Sequence, residues 1–425
     1  MEDLREQRGI VLAATKQIHQ HGDCWIVPSQ SGKGVYAVRG VTETNPECSC
    51  PDYEARRQNC KHIYAAIFVM RREQRPDGTT ITETIAITKE RPTYPQVWPA
   101  YNAAQTTEKD RFQELLADLC NGIANPQQRG AGRPKLPLSD AVFSVVFKVY
   151  STVSARRFMS DLREAQRRGF VASTPHYNSV FNYLENPAMT PVLRDLIVKS
   201  SRPLASVETS FAVDSSGFST SRFTRWFDFK YGKERVKQDW VKCHIMCGTK
   251  TNIVTAVDIQ EMYTHDTLAF APMVETTAQT FRIAEVSADK AYGSLTNTDA
   301  VTKLGGTPFI AFKGTATGAA GGTFEQMFHY FMFRRDEFLE HYHRRSNVES
   351  TFSMMKRKFG HALRSKTDTA MTNETLCKVL CHNLVVLIHE MHELGITPSF
   401  SPHPDCGATL PAAGSRREPI WPPVA

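Results

Sequence analysis

No apolar run in this 425-residue chain approaches the roughly 18 residues of a membrane-spanning helix, so no membrane partner is expected. The first nine residues, MEDLREQRG, lack the basic stub and apolar core of a secretory signal, which points to an intracellular, cytoplasmic location. No strong charge imbalance is present: the formal net charge of +7 leaves nucleic acid open as a partner without requiring it. Disorder is not the default, because hydrophobic residues make up 41% of the chain and charged ones 22%. The ten cysteines lack the spread of a disulfide framework. Cys48, Cys50 and Cys60 crowd together just before His62, while Cys24, Cys120, Cys243, Cys247, Cys377, Cys381 and Cys406 are scattered. Cys243/Cys247 and Cys377/Cys381 lie in apolar surroundings and read as buried thiols rather than as a second metal site.

At roughly 150 residues per domain, the length predicts two to four units. Residues 1–75 combine a helix-like start, an apolar stretch at Trp25, Ile26 and Val27, a glycine-bearing turn and then Val35 to Val38, a hairpin leading into the cysteine group. The run IYAAIFVMRR that follows is apolar at helical spacing and ends in positive charge, as a helix C-terminus prefers. Residues 76–138 read as a linker, Pro- and Thr-rich at first and basic later. There Gly132, Arg133 and Pro134 have the order of a hook whose arginine enters a narrow A·T minor groove. A flexible basic hinge accounts for the same segment and is favoured by its shortness. Residues 139–202 carry three short helices, with Ser139 as a cap for the first and Ser-Thr-Pro at 173–175 opening the third. Such a set serves either as a helix-turn-helix reader of DNA or as plain helical packing.

Residues 203–395 alternate strands and helices, and the Pro-rich residues 396–425 are expected to be disordered. Val207, Thr209, Phe211 and Val213 share one face of a period-two strand, which puts Asp214 at its end on the opposite face. Residues 240–246 and 253–259 flank a hairpin turn, Asp266 opens a helix through Thr277, and 281–286 form a strand with Asp289 just past its end. Another strand at 307–312 precedes two helices that bring in Glu349. Carboxylates from two strand ends and a later helix can converge on magnesium, and two such ions can activate a nucleophile and stabilise a leaving oxygen.

The residues around Glu349 sharpen this. Tyr342, Arg345, Glu349 and Lys356 are spaced to share one helical face, presenting a phenol, a guanidinium, a carboxylate and an ammonium. An exposed helix laced by an Arg345–Glu349 ion pair has the same pattern. Arg344, Arg345, Lys356, Arg357, Lys358, Arg364 and Lys366 surround Glu349, the lone acid of residues 341–366, a basic strip suited to a phosphate backbone. The segment resembles the Y-x2-R-x3-E-x6-K signature of bacterial insertion-sequence transposases of the DDE type, and it follows Asp214 and Asp289 in the family's order. FAVDSSGFS around Asp214, RWFDFK at 225–230, Thr264-His265-Asp266 and Ala288-Asp289-Lys290-Ala291-Tyr292 are similar to further motifs of that family.

The resemblance covers about residues 139–393 and implies an α/β, ribonuclease H-like mixed sheet flanked by helices, preceded here by a helical domain and a small zinc-binding domain. It implies Asp214, Asp289 and Glu349 as the catalytic triad holding two Mg2+ or Mn2+ ions, with Tyr342, Arg345 and Lys356 contacting DNA. The implied reaction cleaves a phosphodiester at a transposon end, and the freed 3′-hydroxyl then attacks target DNA. A homodimer on double-stranded DNA and a prokaryotic, nucleoid-associated setting follow. Only residues 290–348 separate Asp289 from Glu349, which leaves no room for the large β-rich insertion of relatives that form hairpin-ended DNA. A metal-dependent nuclease that cuts without joining uses the same triad. A non-catalytic DNA-binding descendant is the third possibility, disfavoured by the intact acids.

Cys48, Cys50, Cys60 and His62 supply three thiolates and one imidazole, a closed set suited to one structural zinc ion. The C-x-C-xn-C-x-H order resembles the SWIM zinc finger, whose ligands lie on a hairpin and a helix start and which is linked to DNA or protein binding.

Overall fold

The computed structural model describes residues 4–29, 34–42, 45–73, 97–125, 136–220, 240–261, 263–398 and 400, which fall into two compact units divided between Tyr94 and Pro95. The hook at Gly132, Arg133 and Pro134, the RWFDFK motif and all but a few residues of the tail lie outside them.

The first unit has helix α1 (Leu4–Thr15), strands β1 (His19–His21), β2 (Cys24–Pro28), β3 (Val35–Arg39) and β4 (Glu47–Cys48), and helices α2 (Pro51–Arg56) and α3 (Lys61–Glu73). The strands form one antiparallel sheet in sequence order, with Trp25 opposite Val38 in the hairpin. Leu12, Trp25, Val27, Val38, Ile63, Ala66 and Val69 share its core. Helices α1 and α3 approach so closely that a Cβ on Gly9 would lie 2.5 Å from Cβ of Tyr64, which requires glycine there.

In the second unit, helices α4 (Trp98–Asn121), α5 (Leu138–Ser151), α6 (Ala155–Arg167), α7 (Tyr177–Leu184) and α8 (Met189–Ser201) precede the sheet. Strands β5 (Ser210–Ser219), β6 (Trp240–Gly248) and β7 (Val254–Gln260) are antiparallel neighbours. Helix α9 (Thr267–Ala278) leads to β8 (Glu285–Ala288), then α10 (Leu295–Lys303) and β9 (Thr307–Ile310), and these two strands continue the sheet in parallel from β5. The order β7-β6-β5-β8-β9, with β6 alone reversed, is the mixed sheet expected of a ribonuclease H-like fold. Helices α11 (Gly322–Phe333), α12 (Arg335–Tyr342), α13 (Ser346–Phe359) and α14 (Asp368–Glu393) complete the unit.

Strand alternation sorts the core into two layers. Phe211, Val213 and Met246 face α9 with Phe270, Met273 and Val274. Ala212, Cys243, Ile245 and Cys247 face the layer built from α14, α13 and α4 to α8. Asp214 therefore belongs to the helix α13 side, as period-two reading requires.

Four expectations need correction. The span 76–138 is not all linker, because α4 occupies 24 residues of it and buries Phe112, Leu116 and Leu119 in the main core. Proline and threonine at 75–105 masked a helix whose buried residues begin only at Ala104. Residues 139–202 do not form a separate core. Val142 to Phe147 of α5 are buried all round and pack with the sheet, so α5 serves packing rather than DNA reading. That helix also starts two residues early, with Pro137 rather than Ser139 at its cap, while Ser139 N donates to Asn125 Oδ1 at 3.1 Å. Finally, β5 runs on to Ser219, so Asp214 lies in mid-strand rather than at its end.

Phe112 of α4 is fully buried and stacked on Tyr150 at 3.8 Å between centroids. Phe112→Ala should cost about 3–5 kcal/mol in urea unfolding. A loss under about 0.5 kcal/mol, the value of an ordinary surface site, would return α4 to linker status.

Candidate functional site

In the parallel pair β5/β8, Val213 stands opposite Ala288, so Asp214 and Asp289 are the next residues on two adjacent strands. Adjacent strands lie about 4.8 Å apart, which brings the two acids together wherever the parent strands point. Asp289 is the last extended residue before a 3-10 turn, Lys290–Tyr292.

Tyr292 fixes that turn. Its phenol is fully buried and lies 2.9 Å from His244 Nδ1 on β6, so the side chain reaches from beyond β8 across β5 to the next strand. His244 pairs in register with Ser215, the residue after Asp214. The contact thus straps together the strands that carry both acids. Asn297 Nδ2 donates to Tyr292 O at 2.8 Å and to Thr267 O at 3.1 Å, holding the other side of the turn. Burial pushes the His244 pKa down, which favours a neutral ring against the phenol. Lys242, on the same face, donates to Thr264 O at 2.8 Å and pairs with Asp266, whose Oδ2 lies 3.5 Å from Ser215 Oγ. The Thr264-His265-Asp266 motif therefore sits behind Asp214, and the sequence offered no sign of its lysine partner.

Glu349 comes from the first turn of α13. Arg345 joins it to the sheet: Nη1 donates to Asp214 Oδ2 at 2.8 Å and Nη2 to Glu349 Oε1 at 2.7 Å. The i,i+4 ion pair is present, then, and it extends to a residue 131 positions away. Ser215 N also donates to Asp214 Oδ1 at 2.8 Å. Burial pushes the Asp214 carboxyl above the usual range, opposed by the Ser215 N–H and the Arg345 charge and aided by Asp289 and Glu349. The three acids are close enough to feel one another.

Tyr342, Arg345 and Glu349 do not lie on one continuous helix. Helix α12 ends at Tyr342, residues His343–Arg345 form a 3-10 turn, and α13 begins at Ser346. The tighter turn still leaves the Arg345 guanidinium 5.9 Å from the Tyr342 ring centroid. Burial pushes the Tyr342 phenol up, with the Asp289 and Asp214 charges adding to it and Arg345 opposing it.

A cleft of about 510 Å³ opens beside the acids, lined by Asp214, Ser215, Ser216, Glu349, Phe352, Ser353, Lys356, Arg357 and His361. Lys356 Nζ donates to Ser216 Oγ at 2.6 Å and lies 5.3 Å from the Phe218 ring centroid. Burial lowers its pKa. His361 reaches the cleft because Ser219, at the end of β5, bonds to His361 O and receives Leu363 N. The basic strip is only partly available to a ligand. Arg344 pairs with Glu285, and Lys358 pairs with Glu108. A linear count of charges could not anticipate these partners, which arrive from β8 and α4.

In the first unit the ligand atoms of Cys48, Cys50, Cys60 and His62 all lie within 4.8 Å of one another, and all four residues are buried. Cys48 ends β4, Cys50 caps α2, Cys60 precedes α3 and His62 lies in its first turn. Cys60 Sγ is 3.9 Å from His62 Nδ1, and His62 Nε2 is buried with no hydrogen-bond partner among the described residues. Hydrogen bonding to Cys48 is the main cause holding the Cys60 thiol down, to about 4. Three sulfurs around an imidazole without an oxygen partner fit a tetrahedral zinc ion.

Residues 205–384 match the family model of the transposase DDE domain. The chain carries a transposase DDE domain. Residues 41–69 match the SWIM zinc finger, which encloses the four metal-ligand candidates. No curated protein matches the chain. Among solved structures, the chain is similar to the one titled "Cryo-EM structure of piggyBac transposase synaptic complex with hairpin DNA", at 9% identity over 71% of this chain and 77% of that one. The TM-score of 0.32 is too low for that likeness to bear on fold or function. Among the described residues no helix is long and apolar enough to cross a membrane.

The zinc finger generates a direct check. Wild-type protein is expected to hold one equivalent of zinc by metal analysis, and Cys60→Ser to lose it together with cooperative unfolding of the first unit. Full zinc content in the variant would remove Cys60 from the ligand set.

Proposed function

We propose that the chain is a DNA transposase whose DDE domain cleaves phosphodiesters at transposon ends and joins the freed 3′-hydroxyl to target DNA. The observation that carries this is the bridging of Asp214 and Glu349 by Arg345 at a cleft edged by Lys356, Arg357 and His361, with Asp289 following the strand position next to Asp214. Asp214 and Glu349 sharing one guanidinium, with Asp289 on the neighbouring strand, form an oxygen-rich donor set that suits Mg2+ or Mn2+. Asp214, Asp289 and Glu349 would hold two such ions. When bound, these supply charge stabilisation for the attacking and leaving oxygens of the displacement.

The chain's own residues orient and bind. Arg345 keeps Asp214 and Glu349 in place in the absence of other cations, and a guanidinium is also the side chain best matched to a phosphate. Lys356, anchored on Ser216, offers a point charge to a phosphate further along the cleft. Tyr342, stacked against Phe338 and beside Arg345, closes the other side and contacts DNA there. Tyr292 and His244 hold the two aspartates in register. Cleavage of two ends in one event calls for a homodimer on double-stranded DNA.

Protein supplied with Mg2+ or Mn2+ is expected to nick DNA carrying its own transposon ends and to join them to a target plasmid. Glu349→Gln and Asp289→Asn should each abolish nicking while leaving gel-shift affinity for the ends unchanged. Undiminished nicking by either variant would remove that acid from the site. Cleavage without any joined product would make the enzyme a nuclease.

A further inference from the structure

Outside the cleft, α6 carries Arg156, Ser160, Arg163 and Arg167 at steps of four, three and four, which superimpose on one helical face, with Arg157 beside them. All five are exposed. The opposite face, Ala155, Phe158, Leu162 and Ala165, is buried, so packing fixes the arginines outward. The acids of the helix are already engaged: Asp161 with Lys109 at 2.8 Å, and Glu164 with Arg167. Among the described residues no ion pair holds Arg156, Arg157 or Arg163. Arg156 instead lies over the Tyr177 ring at 5.1 Å.

The N-terminus of α6 is tied to the segment that borders the cleft. His361 lines the cleft, and Arg364 of the same segment donates from Nη1 to Val153 O at 3.2 Å, directly before Ser154, the cap of α6. One hydrogen bond therefore links the segment that lines the cleft to the residue before the cap of α6.

We propose that this face of α6 is a docking surface for the backbone of duplex DNA flanking the strand held in the cleft. The proposal rests on the reading of the cleft as a DNA site and extends it to a surface that takes no part in the chemistry. The spacing favours a polymer over a small anion. Thirteen residues of helix span about 20 Å, and duplex DNA presents one charge per about 1.7 Å of axis over that length. A nucleotide would engage one guanidinium, whereas a regularly charged backbone engages them all.

The test titrates a random-sequence duplex oligonucleotide against the full-length protein without divalent metal, across a series of KCl concentrations. Arg156→Gln/Arg157→Gln/Arg163→Gln should lower the slope of log affinity against log salt by about 0.9 per lost contact, to a total of about 2.7, with no change in melting temperature. Because Arg156 also covers Tyr177, Arg157→Gln/Arg163→Gln serves as a second variant, with an expected fall of about 1.8. Arg163→Lys, which keeps the charge, should retain the wild-type slope. Wild-type slopes in both glutamine variants would overturn the proposal, as would a wild-type protein that binds no duplex. A slope lost in the variants, together with wild-type protein that never nicks DNA, would support this surface and fail the proposed chemistry instead.

Discussion

Like charges on neighbouring strands must be compensated, and the acidic site of the second unit is organised around that requirement. Two unit charges about 4 Å apart near a protein surface interact by about 4 kcal/mol, a large share of the net stability of a domain. The parallel register of β5 and β8 makes Asp214 and Asp289 neighbours, and α13 adds Glu349. Arg345 answers this by bonding Asp214 and Glu349 at once. Its position depends in turn on the 3-10 turn after α12, which places the guanidinium between helix and sheet. In the proposed reaction the metal ions would take carboxylate oxygens that Arg345 occupies in the free protein, so metal entry would release Arg345 toward a phosphate.

Much of this was legible in the sequence where local rules dominate. Period-two alternation put Asp214 opposite Val213, and the cysteine spacing with its hairpin and helix start described the zinc finger correctly. Motif order pointed to the DDE domain that the family match bears out. What failed was long-range. Helix α4 was hidden because its first turns, including Trp98 and Tyr101, are exposed and carry no apolar stripe. The basic strip looked uniform, yet Glu285 and Glu108 neutralise part of it from elements far away in sequence. The Tyr292–His244 strap joins residues 48 positions apart across an intervening strand, which no local pattern encodes.

The two proposed metal sites differ in their donor sets. In the SWIM segment, three sulfurs and an imidazole are buried together, a set that would close around a structural ion. In the DDE domain, hard oxygen donors border an open cleft, and Glu349 remains largely exposed. The first set would close around its ion, and the second would leave coordination positions for a substrate.

Anomalous scattering from a Mn2+-soaked crystal tests the central claim most directly. Two peaks about 4 Å apart are expected among Asp214, Asp289 and Glu349, with Arg345 displaced from at least one of its carboxylates. No anomalous density there at saturating Mn2+, with Arg345 still bridging Asp214 and Glu349, would contradict it.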